Sequence, residues 1–559
     1  MSVRLGTLLL YAFFALFLAW PVGHVLHGAF AAPDGGLSLR AFGMLARNDV
    51  LLESIGNSLL VAAAATTLCT LLCFPLAHLF VSREFRGKAV LQALLLSALV
   101  LPPFVAAIGV RQLFARFGSV NLLLLRAGLV DTPIDFLGGH PLAGVIALET
   151  LHLYPILFLN LAAALANVDP SLHEAAEAAG AGRWTRWRRV TLPLVLPGWF
   201  AGAIVVFIFA LTDVGSPLVF DVHGLAAVQI LDRALEGSRD PVGYALVVVV
   251  LLLCAGLFLA GRRLTAREAV SQGVKGSTLA RARPLGAAGR WLGLPALGLL
   301  ALLTLLPHLS IAALAFSGSW FFSVLPQELT TRHMGEVLTH PIAYLGVRNS
   351  LVYASLATVI DLVLGLSIAW LAVRRGGRAA RGLDLLATLP LAVPGVVLAF
   401  GYSGAWIGTP LEPWLDPARG ALLLLVIGYS VRRLPYVVRA ADAGLRQVPV
   451  ALEEAACNLG ASGPTTLRRV TIPLLAGNLV AGGLLAFSFA MLEVSESLVL
   501  APVKADYPIA KAIYLLLGDI AEGPQVACAM GLIGTALLAY SLLVAGRLLG
   551  RSLGELFRA

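Results

Sequence analysis

Long apolar runs are the feature that most limits the fold of this chain. Its 559 residues are 59% hydrophobic and only 13% charged, whereas soluble domains carry about 25% charged residues. A helix needs about 20 mostly apolar residues to cross a bilayer. We therefore predict an all-α integral membrane protein with about twelve transmembrane helices. The candidate stretches lie at about 5–30, 56–81, 89–115, 142–166, 196–220, 243–261, 293–317, 347–373, 383–408, 420–438, 477–500 and 525–546.

Short sequence features recur about half a chain apart. An Asn-Ser-Leu run begins at Asn57 and again at Asn349, and Pro21 has a counterpart in Pro307. Because the counterpart lies in mid-chain, the first apolar stretch is predicted to be a retained helix rather than a cleaved signal peptide. Six helices per copy make the two repeats parallel. The predicted organisation is a first unit at 1–261, a basic linker at 262–290 and a second unit at 291–559.

Basic residues indicate the orientation in the membrane. If both termini are cytoplasmic, most of the 40 Lys and Arg residues fall in cytoplasmic segments, as the positive-inside rule requires. We therefore predict a multi-pass protein with both ends inside. The basic linker 262–290 is a candidate for contact with anionic membrane lipid, or it only sets the topology. No nucleic-acid partner is expected, because the basic residues lie in short loops rather than on one face.

One polar segment occurs twice between the apolar stretches. Each copy has Glu-Ala-Ala, three further residues, Gly, and a Pro thirteen positions later. Asp169 and Pro170 predict the start of a short helix, and a Gly at the end favours a left-handed cap. A helix with a small-residue face and a leading Glu suits a cleft on a partner. The shared residues are Glu174, Ala175, Ala176 and Gly180 in the first copy and Glu454, Ala455, Ala456 and Gly460 in the second.

This repeated pattern resembles the cytoplasmic loop, or EAA motif, of permease subunits of binding-protein-dependent ABC importers. The resemblance covers the whole chain as two fused six-helix permease units. It implies that the eight shared residues form coupling helices that dock two copies of a cytoplasmic ABC ATPase subunit. It also implies a bacterial inner-membrane location, a periplasmic substrate-binding protein and transport by alternating access. Cys457 departs from Glu177 of the first copy, and no role is assigned to it.

Within that family the chain is most similar to fused permeases of the iron(III) and thiamine group. The segment from Glu493 to Leu500 looks more like the iron(III) permeases, which implies iron(III) as the substrate. Permeases for thiamine, polyamines or phosphonates remain alternatives. An ion-coupled secondary transporter is a candidate from a different class, but it would not need two Glu-Ala-Ala loops.

Acids and helix breakers inside the apolar stretches are candidates for the translocation path. Asp213 and Glu493 lie one repeat apart in predicted helices, and ionisable groups in a membrane usually face a cavity or a partner. With Glu496 they would favour a cationic substrate, although a gate, helix packing or an interfacial position would also explain them. Pro103 and Pro394 interrupt the third helix of each unit. Such paired breaks point to a pathway, or to a kink for packing alone.

The sequence lacks the motifs of an enzyme that works by itself. It contains no GxxxxGK[ST] phosphate loop, so ATP is expected on the partner subunit and no cofactor on this chain. The five cysteines form no metal-binding spacing, and no metal site is predicted. A membrane-embedded enzyme is disfavoured for the same reasons. Asp361 has no acidic counterpart in the first unit and receives no role.

Overall fold

The computed structural model describes residues 3–32, 34–237, 240–269, 283–287, 289–519 and 523–548. Within them the chain is almost entirely helical, which confirms the all-α membrane fold. Among these described residues, ten helices are long and apolar enough to cross a membrane, and one bent pair would make eleven. Much of the predicted linker 262–290 lies outside the described residues. The ten helices span Arg4–Phe30, Asp49–Ser82, Pro103–Arg126, Pro141–Ala166, Arg183–Thr212, Pro241–Gly261, Gly289–Ala315, Pro341–Arg375, Gly463–Met491 and Gly523–Leu548.

One predicted transmembrane segment differs from the others in composition. The stretch predicted at 420–438 is the helix Leu422–Gln447 in the structure. It carries Arg432, Arg433 and Arg439, so it is not among the ten apolar helices. Its apolar half is nevertheless largely buried, and the arginines therefore need partners within the protein.

The described chain divides into two compact units. The N-terminal unit comprises the described residues within 53–228 and 252–330. Its strands pair Arg83–Glu84 with Arg283–Pro284 and Ser317–Ser319 with Glu328–Leu329. Its helices, some of them continued by π or 3-10 turns, are Asp49–Ser82, Lys88–Leu96, Ser97–Leu99, Pro103–Phe114, Ser119–Arg126, Pro141–Ala166, Pro170–Ala178, Arg183–Arg186, Trp187–Thr191, Leu192–Thr212, Gly215–Val219, Gly289–Gly293 and Leu294–Ala315.

The C-terminal unit comprises the described residues within 1–52, 229–251 and 331–552. Two helices, Ala226–Leu235 and Pro241–Ala269, contribute residues to both units. The other helices of this unit are Val3–Phe14, Ala15–Ala19, Trp20–Phe30, Arg40–Leu45, Arg332–Thr339, Pro341–Trp370, Leu371–Arg375, Gly377–Thr388, Leu389–Leu391, Gly395–Ala405, Glu412–Leu415, Leu422–Gln447, Val450–Asn458, Gly463–Thr466, Leu467–Thr471, Ile472–Met491, Ser495–Leu500, Lys504–Asp506, Ile509–Leu516 and Gly523–Leu548.

The first helix of the chain packs within the C-terminal unit, although most of that unit lies more than 300 residues later in the sequence. Tyr402 donates a hydrogen bond to the carbonyl of Phe17 at 2.5 Å, and Trp20 donates to the carbonyl of Ala405 at 2.9 Å. A Cβ added at Gly401 would come within 2.9 Å of the Pro21 carbonyl oxygen. A glycine is therefore required where these two backbones approach each other.

The N-terminal unit contains the equivalent contact. Here a Cβ added at Gly109 would come within 2.7 Å of the Pro307 carbonyl oxygen. Ser310, on the same helix as Pro307, donates to the Gly109 carbonyl at 3.0 Å. Each compact unit thus includes the first helix of the other sequence repeat. The repeat boundaries at 1–261, 262–290 and 291–559 stay a prediction about the duplication.

The predicted breaks in the third helices fall at the prolines. In the N-terminal unit, Lys88–Leu96 and the turn Ser97–Leu99 precede a new helix that begins at Pro103. In the C-terminal unit, Pro394 precedes Gly395–Ala405, which is bent by 103° from Gly377–Leu391. A proline cannot donate to the preceding turn, which accounts for a break at these positions.

Candidate functional site

The two Glu-Ala-Ala segments form short helices of equal length. The first loop helix is Pro170–Ala178 and the second loop helix is Val450–Asn458, each of nine residues and without a buried side chain. Leu172 and Leu452 occupy equivalent positions, and each is 45% exposed. Two short helices that expose an apolar residue at the same place present a repeated contact surface.

Both loop helices end in the same hydrogen-bonded cap. Gly180 and Gly460 have φ angles of 81° and 87°, in the left-handed region that favours glycine. In the first loop helix the Ala181 amide donates to the Ala176 carbonyl at 2.9 Å, and the equivalent bond in the second measures 3.0 Å. This is the Schellman arrangement expected for a helix that ends in glycine. The predicted role of these glycines as helix ends is consistent with the geometry.

The two loop helices begin differently. Asp169 caps the first, because its Oδ1 accepts a hydrogen bond from the Ser171 amide at 2.9 Å. That bond holds the pKa of the Asp169 carboxyl below its ordinary value. Pro449 precedes the second loop helix and has no side chain that could cap it.

The second loop helix is instead anchored through Glu453. Arg374 Nε lies 3.1 Å from Glu453 Oε2, and Thr471 donates to Oε1 at 3.1 Å. At the equivalent place in the first loop helix, His173 Nε2 lies 3.5 Å from the hydroxyl of Thr191. Different side chains therefore connect each loop helix to the start of the spanning helix that follows it.

The eight residues predicted to dock a partner lie on these two helices and their caps. Glu174 and Glu454 are exposed, as are the alanines that follow them, Ala175 and Ala455. Ala176 and Ala456 are half-buried, and both cap glycines are exposed. Within the described residues neither Glu174 nor Glu454 forms an ion pair or side-chain hydrogen bond with the rest of the chain. Both carboxylates are thus available to a partner.

Asp213 and Glu493 do not lie inside helices, contrary to the prediction. The helix Leu192–Thr212 ends before Asp213, whose carboxylate accepts from the amides of Gly215 at 3.3 Å and Ser216 at 2.9 Å. Glu493 likewise lies between Ile472–Met491 and Ser495–Leu500. The physical reason is that a carboxylate can cap the next short helix by accepting its free amide protons.

Glu493 is held by two arginines that the sequence analysis did not single out. Arg432 Nη1 lies 2.5 Å from Oε1, and Arg433 Nη2 contacts Oε2. The Glu493 side chain is 6% exposed. Arg432 and Arg433 are adjacent in an apolar segment. This pattern could have predicted their contact with an acid, because intramembrane arginines need acidic partners.

Glu496 is buried one turn after Glu493 and forms no ion pair with an arginine among the described residues. It is 0% exposed, and neither carboxylate oxygen has a hydrogen-bond partner within the described residues. Nearby, the hydroxyls of Tyr429 and Ser497 lie 2.6 Å apart. Asp361 is also fully buried and accepts from Ser430 at 2.6 Å, while its Oδ2 has no partner.

The N-terminal unit holds a buried acid that the sequence analysis missed. Glu149 lies in the helix Pro141–Ala166 and is 1% exposed. Its carboxyl interacts with that of Asp213, and neither its Oε1 nor the buried Ser216 hydroxyl has a hydrogen-bond partner within the described residues. A single acid in an otherwise apolar helix was the signal that could have found it. In the part of the chain that the structure describes, no group of three or more His, Cys, Asp and Glu could hold a metal ion.

Comparison with known proteins identifies the family. Residues 70–269 and 361–554 match the family described as binding-protein-dependent transport system inner membrane component. A probable ABC transporter permease protein of Sinorhizobium fredii is 30% identical over 519 residues, which cover 91% of this chain and 90% of that protein. A putative ferric transport system permease protein of Haemophilus influenzae is 28% identical over 71% of this chain. The match spans 62% of that relative's own length.

A solved structure is also similar. It is a bacterial ABC transporter involved in the import of the acidic polysaccharide alginate, with a TM-score of 0.38 and 20% sequence identity over 46% of this chain and 92% of that one. The family match occurs once in each half of the sequence, which agrees with two fused permease units. Permeases of this family are membrane subunits that act with a separate ATPase and a periplasmic binding protein. This chain belongs to the inner membrane components of binding-protein-dependent transport systems, as a fused two-unit permease subunit of an ABC importer.

Proposed function

We propose that this permease passes iron(III) from a periplasmic binding protein to the cytoplasm, and that its two loop helices each dock one ATPase subunit. The observation that carries the docking proposal is the pair of exposed, identically capped helices, Pro170–Ala178 and Val450–Asn458. Two equivalent surfaces on one chain suit two copies of one partner. Both termini and both loop helices would then lie on the cytoplasmic side, where the ATPase is.

The exposed side chains of the loop helices describe the partner surface. Leu172 and Leu452 would enter an apolar cleft, and the small residues after each leading Glu would allow the ATPase backbone to approach closely. Glu174 and Glu454 offer each partner a negative charge at one end of the contact. A basic residue beside an apolar cleft is the complementary chemistry.

The iron(III) assignment is supported by two relatives that each match more than two thirds of the chain. Ferric permeases of Haemophilus influenzae and Actinobacillus pleuropneumoniae match 71% and 75% of this chain at 28% and 27% identity. Shorter matches are to single permease units named for molybdenum, spermidine and putrescine, and 2-aminoethylphosphonate. Carboxylates are the ligands that hard cations prefer, and Asp213, Glu493 and Glu496 are acids at helix breaks of the two repeats.

The translocation path would use the acids and the broken helices together. Asp213, Glu493 and Glu496 lie at or after the end of the fifth helix of each repeat. Pro103 and Pro394 begin the second half of each broken third helix, where free backbone carbonyls could face a cavity. Alternating access would expose this path first to the periplasm and then to the cytoplasm.

Molybdate import is the second candidate function. The molybdenum permease of Mycobacterium tuberculosis is 34% identical over 208 residues. Arg432 and Arg433 would suit an oxyanion if Glu493 released them. Uptake assays with cells that contain the complete transporter separate these candidates. We expect accumulation of radioactive ferric iron, and accumulation of molybdate without iron would reject the iron(III) assignment.

The docking proposal has a direct test of its own. Replacing Glu174 and Glu454 together by Arg should abolish co-purification of the ATPase, because both contacts would then carry the wrong charge. A control that reverses only the exposed Arg188 and Arg468, which lie outside the loop helices, should retain the ATPase. Normal assembly of the Glu174→Arg, Glu454→Arg variant would reject docking at these helices.

A further inference from the structure

The N-terminal unit contains two carboxyl groups in contact near the end of a spanning helix. Glu149 reaches Asp213 from the neighbouring helix Pro141–Ala166, and the two side chains interact directly. Asp213 uses its oxygens to accept from the Gly215 and Ser216 amides. Glu149 is 1% exposed, and its Oε1 has no hydrogen-bond partner within the described residues. Two carboxyl groups this close are stable only with a proton or a cation between them.

No lysine or arginine in the described structure compensates this pair. Neither Glu149 nor Asp213 forms an ion pair with a Lys or Arg among the described residues. His152 lies one helical turn after Glu149 and interacts with Asp213, but a histidine carries a full charge only when protonated. The unsatisfied Oε1 therefore has no partner in this conformation and is available to a ligand.

The second repeat keeps an acid at one of these positions and differs at the other two. Glu493 corresponds to Asp213, but Tyr429 replaces Glu149, and Arg432 replaces His152. Arg432 and Arg433 both contact Glu493 and neutralise it. The two repeats thus place acids at the same point of the fold but give them opposite electrostatic surroundings. Of the two equivalent acids Asp213 and Glu493, only Glu493 forms ion pairs with arginines among the described residues.

We infer that Glu149 and Asp213 form a transient binding site for the transported metal cation, an inference that rests on the proposed iron(III) function. The ligand class is a hard, multivalent cation that binds carboxylate oxygens and keeps part of its water shell. Two protein carboxylates hold such a cation only weakly, which a transport pathway requires, because a substrate must leave the site as readily as it enters. Glu493 lies at the equivalent position but is paired with Arg432 and Arg433.

The experiment uses the full transporter, with its ATPase and binding protein, in liposomes. Uptake of radioactive ferric iron is measured for the wild type, for Glu149→Gln and for Asp213→Asn. Both substitutions remove charge with little change in shape, and Asn keeps an oxygen that can cap Gly215 and Ser216. Asp361→Asn is the matched control, since Asp361 is an equally buried acid outside this site. Glu149→Asp tests whether the charge alone restores uptake.

We expect iron uptake to fall by about tenfold or more in Glu149→Gln and Asp213→Asn, while ATPase association and thermal stability stay at wild-type values. Asp361→Asn should transport normally and Glu149→Asp should recover much of the rate. Wild-type uptake by both charge-removing variants would overturn the inference and leave the iron(III) function intact. Absence of iron uptake by the wild type would reject the iron(III) function and this inference with it.

Discussion

Arg374 fixes the second loop helix by binding Glu453. Its Nε lies 3.1 Å from Glu453 Oε2, and its Nη2 donates to the Val448 carbonyl at 3.0 Å. The two side chains are only 9% and 14% exposed. Arg374 belongs to the turn that ends the spanning helix Pro341–Trp370. A displacement of the second loop helix is therefore passed directly to a spanning helix.

Removing this anchor should destabilise the loop. Glu453→Ala leaves the mostly buried Arg374 without its partner, and the expected loss is about 3 kcal/mol. The thermal unfolding temperature of the purified protein should fall accordingly. Glu454→Ala is the control, because Glu454 is exposed and makes no ion pair within the described residues. Equal unfolding temperatures for the two variants would mean that the anchor contributes nothing.

The cap glycines should resist substitution by alanine. Gly180 and Gly460 have φ angles of 81° and 87° with open space around them, so the penalty arises from the backbone alone and is about 1 kcal/mol at each site. Gly182 and Gly463 lie just beyond, also in open space but without a positive φ. Hydrogen exchange of the loop helices should accelerate in Gly180→Ala and Gly460→Ala but not in Gly182→Ala or Gly463→Ala. Equal hydrogen-exchange rates in all four variants would contradict the role of Gly180 and Gly460 as left-handed helix caps.

The first loop helix should loosen in acid through Asp169. The Ser171 amide holds the folded pKa of this carboxyl below its ordinary value. The stabilisation is therefore present above the unfolded pKa and is lost as the pH falls through the folded pKa. Asp169→Asn keeps the cap without a titrating group. Hydrogen exchange of residues 170–178, compared between wild type and variant, should diverge only at acid pH, and parallel profiles at every pH would show that Asp169 does not cap the helix.

Gly395 and Arg432 should show energetic coupling. A Cβ added at Gly395 would overlap Arg432 Nη1, which contacts Glu493. Gly395→Ala should therefore displace the guanidinium and destabilise the C-terminal unit by about 1–3 kcal/mol. In an Arg432→Ala background the same change should be nearly neutral, a coupling that a double-mutant cycle measures. Gly298→Ala, in open space, is the neutral control, and additive effects at 395 and 432 would refute the contact.

Local sequence patterns predicted the parts of this protein that depend on local physics. The Glu-Ala-Ala segments became helices because small and straight-chain residues favour them, and Gly180 and Gly460 ended them as left-handed caps. The breaks near Pro103 and Pro394 follow from proline's missing amide proton. The apolar stretches became helices because a bilayer leaves no other way to satisfy the backbone.

The sequence did not predict the features that depend on contacts between residues far apart in the chain. Asp213 and Glu493 look like helix interior in a run of apolar neighbours, but both lie in breaks between helices, where Asp213 accepts from the amides of Gly215 and Ser216. Arg433 contacts Glu493 across 60 residues, a pairing that no local pattern encodes. The contact of Gly401 with Pro21 depends on the exchange of first helices between the repeats. Such contacts follow from the packing of whole helices.

Cys457 provides the most direct test of the central claim, that the loop helices are cytoplasmic surfaces which dock the ATPase. It is the one exposed cysteine of five and lies on the second loop helix. A membrane-impermeant maleimide should label it in inside-out vesicles stripped of ATPase, and not in right-side-out vesicles. Adding the ATPase should protect it, and Cys457→Ser should abolish labelling. Labelling from the periplasmic side, or undiminished labelling with the ATPase bound, would contradict the account.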